Sequence, residues 1–224
     1  MTNYLNEYQK LYGGVIYDTL EFDIKIKKPF CITNRVQRVT YHTKPMFGPV
    51  FTCEGNLIKR KEDINDDLRI EMLSDFKDGC VQVMDCNGYE DVALYGDVTA
   101  ALAMKFGAIG AVIDGYTRDI DKINDNGFDM FCYGFNVRSA LDIWQITNYD
   151  CQITMNGIDG KVTINPDDYV FGDSDGVMII PEYFVDDVLE GAQERMKNEN
   201  YVREKLVSSS IDELLKMKEE VVVW

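Results

Sequence analysis

The stretch GDVTAALAMKFGAIGAVIDGYTRDID, from Gly96 to Asp121, leaves few folds open to this chain. Val98, Ala101, Leu102 and Phe106 recur at helical spacing and predict a helix. Gly107 stops it, because glycine takes the left-handed conformation at a helix end without strain. AIGAVID follows at once, a short apolar run of the kind that forms a buried strand. Gly115 then permits a turn into Arg118 and Asp119. A helix start beside a strand end belongs to an open α/β sheet, and ligands of such sheets gather there.

Three kinds of chemistry converge on that place. The amides of Gly96, Asp97, Val98 and Thr99 at the helix start attract a carboxylate or phosphate. The Arg118 guanidinium offers a planar donor fork. Asp97, Asp119 and Asp121 carry hard oxygens suited to a divalent cation. A plainer reading is open for the same residues: Asp97 caps the helix, and Arg118 and Asp119 form a surface pair.

The rest of the chain repeats strand and helix, which supports an α/β architecture. Residues 30–53 read as strand material, with GPVFT as an inner strand. INDDLRIEMLSDFKDG predicts a helix that buries Leu68, Met72, Leu73 and Phe76 and turns an acidic flank to solvent. CVQVMDCNG is the next strand, and IDKINDNGFDMFCYG gives a short helix, a glycine turn and another strand. Residues 151–181 are strand-rich, with turns at NGIDG, NPDD and GDSDG. A long amphipathic helix follows, with Val185, Val188, Leu189, Ala192 and Met196 on one side. Arg195 and Glu199 are spaced on it as a surface pair. Ser210 and Glu213 make a capping box for a last helix, and the apolar tail VVVW is expected to pack against its own domain or a partner subunit.

Charge narrows the partners. With 23 basic and 39 acidic side chains the net charge is −16, which argues against nucleic acid and anionic membranes. No segment has the apolar length of a membrane span, and the N-terminus lacks signal-peptide character. The six cysteines form no C-x-x-C pair, so they are expected to be reduced, in a cytoplasmic protein. His42, in the strand-like VTYHT, is the only histidine, which excludes histidine-type zinc sites; a Ser–His–Asp or Cys–His mechanism would have to use it, no nucleophile motif points at it, and a structural or surface role is the plainer reading. Lys105 and Lys122 lie near Arg118, but neither has the apolar setting of a Schiff-base lysine.

Asp97, twenty intervening residues and Arg118–Asp119 resemble the D-x20-R-D signature of the 4-hydroxy-4-methyl-2-oxoglutarate / 4-carboxy-4-hydroxy-2-oxoadipate aldolases. Those enzymes belong to the family that includes the regulator of ribonuclease activity A. TYHTKPMFGPVFTCEG, GCVQVMDCNG, NGFDMFCYG and GDSDGVMIIP resemble further segments of that family, so the likeness covers about residues 10 to 206.

The resemblance implies a single-domain layered α/β/β sandwich of the swivelling-domain type over residues 1–224, with a C-terminal helical extension at 207–224. It implies a lyase that cleaves a 4-hydroxy-2-oxo diacid to pyruvate and also decarboxylates oxaloacetate, using Mg²⁺ or Mn²⁺ anchored by Asp119. Gly96, Asp97, Val98, Thr99 and Arg118 would bind the 2-keto acid. Arg118, Asp97 and Glu199 are the candidate catalytic residues, with Glu199 supplied by a neighbouring subunit of a homotrimer or homohexamer. Arg138 is a candidate for the substrate's distal carboxylate. The family's Pro-Gly-Asp stands here as Pro166–Asp167–Asp168, a departure expected to alter a turn. Two non-catalytic readings stay open: a regulator that binds a ribonuclease or other protein, and a small-molecule binding protein with an inactive pocket.

Overall fold

The structure, a computed structural model, describes residues 4–28, 30–207 and 209–220. Lys28–Tyr183 forms one compact unit, and Met1–Lys27 with Phe184–Trp224 forms another. In chain order the strands are β1 (Gln37–Arg38), β2 (Met46–Leu57), β3 (Val81–Asp85), β4 (Ala93–Tyr95), β5 (Gly110–Ile113), β6 (Tyr116–Thr117) and β7 (Asp129–Cys132). There follow β8 (Gly134–Phe135), β9 (Trp144–Tyr149), β10 (Ile153–Asn156), β11 (Lys161–Ile164), β12 (Tyr169–Gly172) and β13 (Val177–Ile180). The helices are α1 (Tyr4–Tyr8), α2 (Gly13–Asp18), α3 (Asp66–Ser74), α4 (Asp97–Lys105), α5 (Ile120–Asp125), α6 (Val185–Leu206) and α7 (Ile211–Glu220).

The main sheet runs β1-β7-β5-β3-β2-β12-β13, with β9 also paired to β2. Neighbours from β2 through β3 and β5 to β7 are parallel. Strand β2 is long enough to pair antiparallel with β12 through Met46–Pro49 and with β9 through Cys53–Leu57.

The apolar runs of β3, β5 and β7 are buried on both faces, and the period of two sorts their side chains into separate cores. Met84, Ala111, Ile113, Met130 and Cys132 join one core, which takes Met72, Leu73, Ala100, Ala103 and Ile123 from α3, α4 and α5. Val81, Val83, Val112 and Phe131 join the other, with Ile153, Met155, Val162 and Ile164 of the β10–β11 hairpin. The result is helices, central sheet and β layer, the α/β/β layering expected.

Several local readings are corrected. Helix α4 buries Ala100 and Ala103, whereas Val98 is 64% and Phe106 37% exposed. Small side chains let this helix lie close to the sheet, which large apolar residues at those positions would prevent. Gly107 ends the helix at φ +107° as expected. Residues 39–45 are loop, so His42 is not in a strand. Strand β9 and the small parallel sheet β4-β6-β8 carry too few residues, or too polar a pattern, to stand out in the sequence. Asp167 takes φ +69°, a left-handed conformation that aspartate tolerates better than most residues, and its side chain contacts Lys77 at 2.5 Å.

In the other unit, α2 continues into a π-helical turn at Thr19–Asp23 and contacts α6. Gly191 permits that approach, since a Cβ there would come within 2.6 Å of Thr19 Cγ2. Arg195 does not pair with Glu199. Its Nε and Nη2 each donate to Asp23 at 2.7 Å, while Glu199 accepts from the Tyr12 hydroxyl and from Arg203. The capping box forms, with the Ser210 amide donating to Glu213 at 2.7 Å. The VVVW tail lies outside the described residues.

The α4 face makes a direct prediction. Ala103→Leu overpacks the helix–sheet contact and should destabilise by about 1–3 kcal/mol in urea unfolding. Phe106→Ser, on the half-exposed side, should cost about 1 kcal/mol or less. The reverse ranking would reinstate the face read from sequence spacing.

Candidate active site

Strands β4 and β6 are parallel neighbours, with Tyr95 opposite Thr117. The residues that leave their carboxyl ends therefore meet: Gly96 enters α4, and Arg118 and Asp119 enter α5. The Arg118 amide donates to the Tyr95 carbonyl at 3.1 Å, and the Thr117 hydroxyl donates to the same oxygen at 3.2 Å. Gly96 is extended at φ −163°, so its value lies in space rather than in an unusual conformation. A Cβ there would stand 3.0 Å from Asp119 Oδ2 and 3.5 Å from Arg118 Nε.

Gly96 is the N-cap of α4 and no side chain caps the helix, so Asp97 is its first residue rather than its cap. The first-turn amides are thus left for a ligand. Asp97 Oδ2 lies 3.8 Å from Lys122 Nζ, and Arg118 Nε lies 3.4 Å from Asp119 Oδ2. The surface-pair reading is therefore also present in the geometry. Asp119 holds φ +59° at the start of α5, a conformation aspartate tolerates better than most residues.

These residues line a cleft of about 350 Å³. Gly96, Asp97, Val98, Thr99, Arg118 and Asp119 all face it. Asp121 and Arg138 are exposed and do not line it. Glu199 belongs to the α6 unit, where Tyr12 and Arg203 hold its carboxylate. Burial raises the Tyr12 hydroxyl above its ordinary value, which keeps it a donor toward Glu199.

The cleft wall also contains residues the sequence did not single out. Arg69 of α3 donates from Nη2 to Thr99 Oγ1 at 2.8 Å. Tyr95 donates to Gln82 Oε1 at 3.0 Å, and burial pushes its hydroxyl well up, so this wall is neutral. Trp144 is buried, and its indole nitrogen has no acceptor among the described residues. Arg69 was hidden because a charged residue on a polar helix flank looks like any solvated side chain. Only the packing of α3 beside the start of α4 reveals it.

Other titratable groups are occupied elsewhere. Asp114 accepts from the Gly88 amide at 3.1 Å and from the Cys86 amide, and burial raises its carboxyl to about 6. None of the six cysteines is in a disulfide. Burial pushes Cys53 up to about 12 and Cys80 and Cys132 to about 11, so these thiols are poor nucleophiles at neutral pH. His42 lies outside the cleft. No described helix is long and apolar enough to cross a membrane.

The chain is 35% identical over 101 residues to Protein DlpA of Legionella pneumophila, which covers 45% of this chain and 16% of that protein. It is 32% identical over 133 residues to a Halalkalibacterium halodurans protein named "Putative 4-hydroxy-4-methyl-2-oxoglutarate aldolase", covering 59% of this chain and 60% of that one. The chain thus spans less than two thirds of either relative's length. Streptomyces coelicolor RraAS2, described as an unusual member of the RNase ES inhibitor RraA protein family, shares the fold with a TM-score of 0.77 at 19% identity, over 91% of this chain and 98% of that one. Residues 16–179 match the RraA-like model, Aldolase/RraA, and with both flanks of the cleft inside that span the chain belongs to the Aldolase/RraA family.

Proposed function

We propose that this protein is a lyase that cleaves a 4-hydroxy-2-oxo diacid to release pyruvate, and that it decarboxylates oxaloacetate through the same enolate. The observation that carries this reading is the meeting of an uncapped helix start, Arg118 and two carboxylates, Asp97 and Asp119, in one cleft.

Arg118 presents its fork, and the Gly96–Thr99 amides present their N–H groups, to the pyruvyl carboxylate. Asp97 orients a water that takes the 4-hydroxyl proton as the C3–C4 bond breaks. The bonding electrons pass to C3 as pyruvate enolate, C4 becomes a carbonyl, and protonation at C3 gives pyruvate. In oxaloacetate the same C3–C4 bond breaks with loss of CO₂. Arg118 stabilises negative charge where it develops, and removing one such donor from an enzyme typically costs about 2.7–4 kcal/mol.

The donor chemistry fits a hydrated Mg²⁺ or Mn²⁺. Carboxylate oxygens are the hard donors such an ion takes, and Asp97 and Asp119 both line the cleft. Asp119 would anchor it, with Asp97 adjacent. When bound, the cation supplies Lewis-acid stabilisation of the developing charge. Glu199, held by Tyr12 and Arg203, would be presented to the site of a neighbouring subunit in a homotrimer or homohexamer. A cytoplasmic location suits the free thiols.

Pyruvate release from a panel of 4-hydroxy-2-oxo diacids tests the reading against both non-catalytic ones. A chain that releases none and instead captures a ribonuclease is a regulator.

Asp119→Asn should lower turnover at least about a hundredfold with the melting temperature little changed. EDTA should abolish wild-type activity, and Mg²⁺ or Mn²⁺ should restore it; full turnover after thorough chelation would refute the metal. Arg118→Lys keeps charge without the fork, so cleavage and decarboxylation should both be impaired, and loss of one reaction alone would contradict a shared enolate. Glu199→Ala and Asp119→Asn, each inactive, should regain activity when unfolded and reassembled together. Mixed oligomers that exchange subunits yet stay dead would sink the shared site.

A further inference from the structure

Resting on the lyase reading, we propose that Arg69 selects substrates that carry a second carboxylate, by pairing with that carboxylate while Arg118 holds the first.

The argument begins with charge. In a chain with 39 acidic and 23 basic side chains, arginines easily find carboxylates. Arg35, Arg38, Arg60, Arg118, Arg195 and Arg203 all do so. Arg69 has no carboxylate within ion-pair distance among the described residues; its partner is the neutral Thr99 hydroxyl at 2.8 Å. A guanidinium has five N–H donors, so one bond to a hydroxyl leaves the fork available. Arg138 also has no acidic partner among the described residues, but it does not line the cleft, whereas Arg69 does.

Position completes the case. Arg118 stands against Gly96, the N-cap of α4, and Arg69 bonds Thr99, the third residue of that helix. The two arginine side chains therefore reach the same helix start, at positions three residues apart. Among the cleft-lining residues they are the two cations. Met72, Leu73 and Leu102 line the same cleft, and apolar walls weaken solvent screening of a charge pair. A monocarboxylate keto acid satisfies Arg118 and leaves Arg69 unmatched. A diacid satisfies both. Thr99 is then a positioning residue that keeps the Arg69 fork over the cleft.

The test reads binding directly, so it does not depend on turnover. Calorimetry with Mg²⁺ present compares 2-oxoglutarate with 2-oxovalerate, which share a keto-acid head and chain length but differ in the distal carboxylate. The wild-type protein should prefer the diacid by about ten- to a hundredfold, the range of a charge-assisted hydrogen bond. Arg69→Met should bring that ratio close to one, Arg69→Lys should keep part of it, and Thr99→Val should reduce it while circular dichroism stays native. Arg138→Met should leave the ratio as it was. A wild-type protein without preference, an Arg69→Met variant that keeps it, or loss of the ratio in Arg138→Met would each overturn the proposal. The pyruvate-release assay stands apart: a protein that binds with the expected ratio and releases no pyruvate loses the lyase reading and keeps Arg69 as its diacid selector.

Discussion

A parallel sheet buried on both faces is the constraint on which the rest of the larger unit depends. Strands β3, β5 and β7 bury every residue but Asp85 at the end of β3, so each must be covered from two sides. Parallel order requires a crossover between neighbouring strands, and the crossovers here supply α4 and α5 to one face. The β10–β11 hairpin and β12–β13 cover the other. Polar exceptions are matched by partners. Gln82, pointing into the helical side, donates to Cys53 Sγ at 3.3 Å and accepts from Tyr95. At the sheet edge, buried Arg38 and Asp129 pair, with Thr40 donating to Asp129 at 2.6 Å. Breaking such a pair by removing one partner is costly because it strands the other charge.

The cleft follows from the same topology. Parallel strands send their carboxyl ends in one direction, so the short sheet β4-β6-β8 brings a helix start and an arginine–aspartate dipeptide together without further machinery. A side chain at Gly96 would crowd Asp119 Oδ2 at 3.0 Å and Arg118 Cγ at 3.4 Å, so those side chains would have to give by a few tenths of an ångström. The local field differs from the global one. A net charge of −16 repels anions at long range, yet solvent and salt screen distant charges while Arg69, Arg118 and the α4 amides act at contact distance.

The helical unit obeys different rules. Its stability rests on α6 packing Val185, Val188, Leu189, Ala192 and Val202, and on Gly191 allowing Thr19 close. Arg195 holds Asp23 in a two-pronged contact, which leaves Glu199 to Tyr12 and Arg203. A carboxylate held by a phenol and a guanidinium has a fixed direction.

The sequence by itself determined the layered α/β class, the strand at AIGAVID, the stop at Gly107, the capping box at Ser210 and the meeting of Gly96–Thr99 with Arg118–Asp119. These are local matters: periodicity, a glycine's backbone freedom, a hydroxyl three residues from a carboxylate, and a helix–strand–turn unit too short to separate its ends. Tertiary structure alone decided which face of α4 is buried, because Ala100 and Ala103 win by being small enough for close packing and not by hydrophobicity. It also decided that Arg195 turns to Asp23, a partner 172 positions away, while the nearby Glu199 is taken by Tyr12 and Arg203. Arg69 came to the cleft in the same way. Nothing in its own neighbourhood marks it, and only the packing of α3 beside the start of α4 makes a solvated arginine line the cleft.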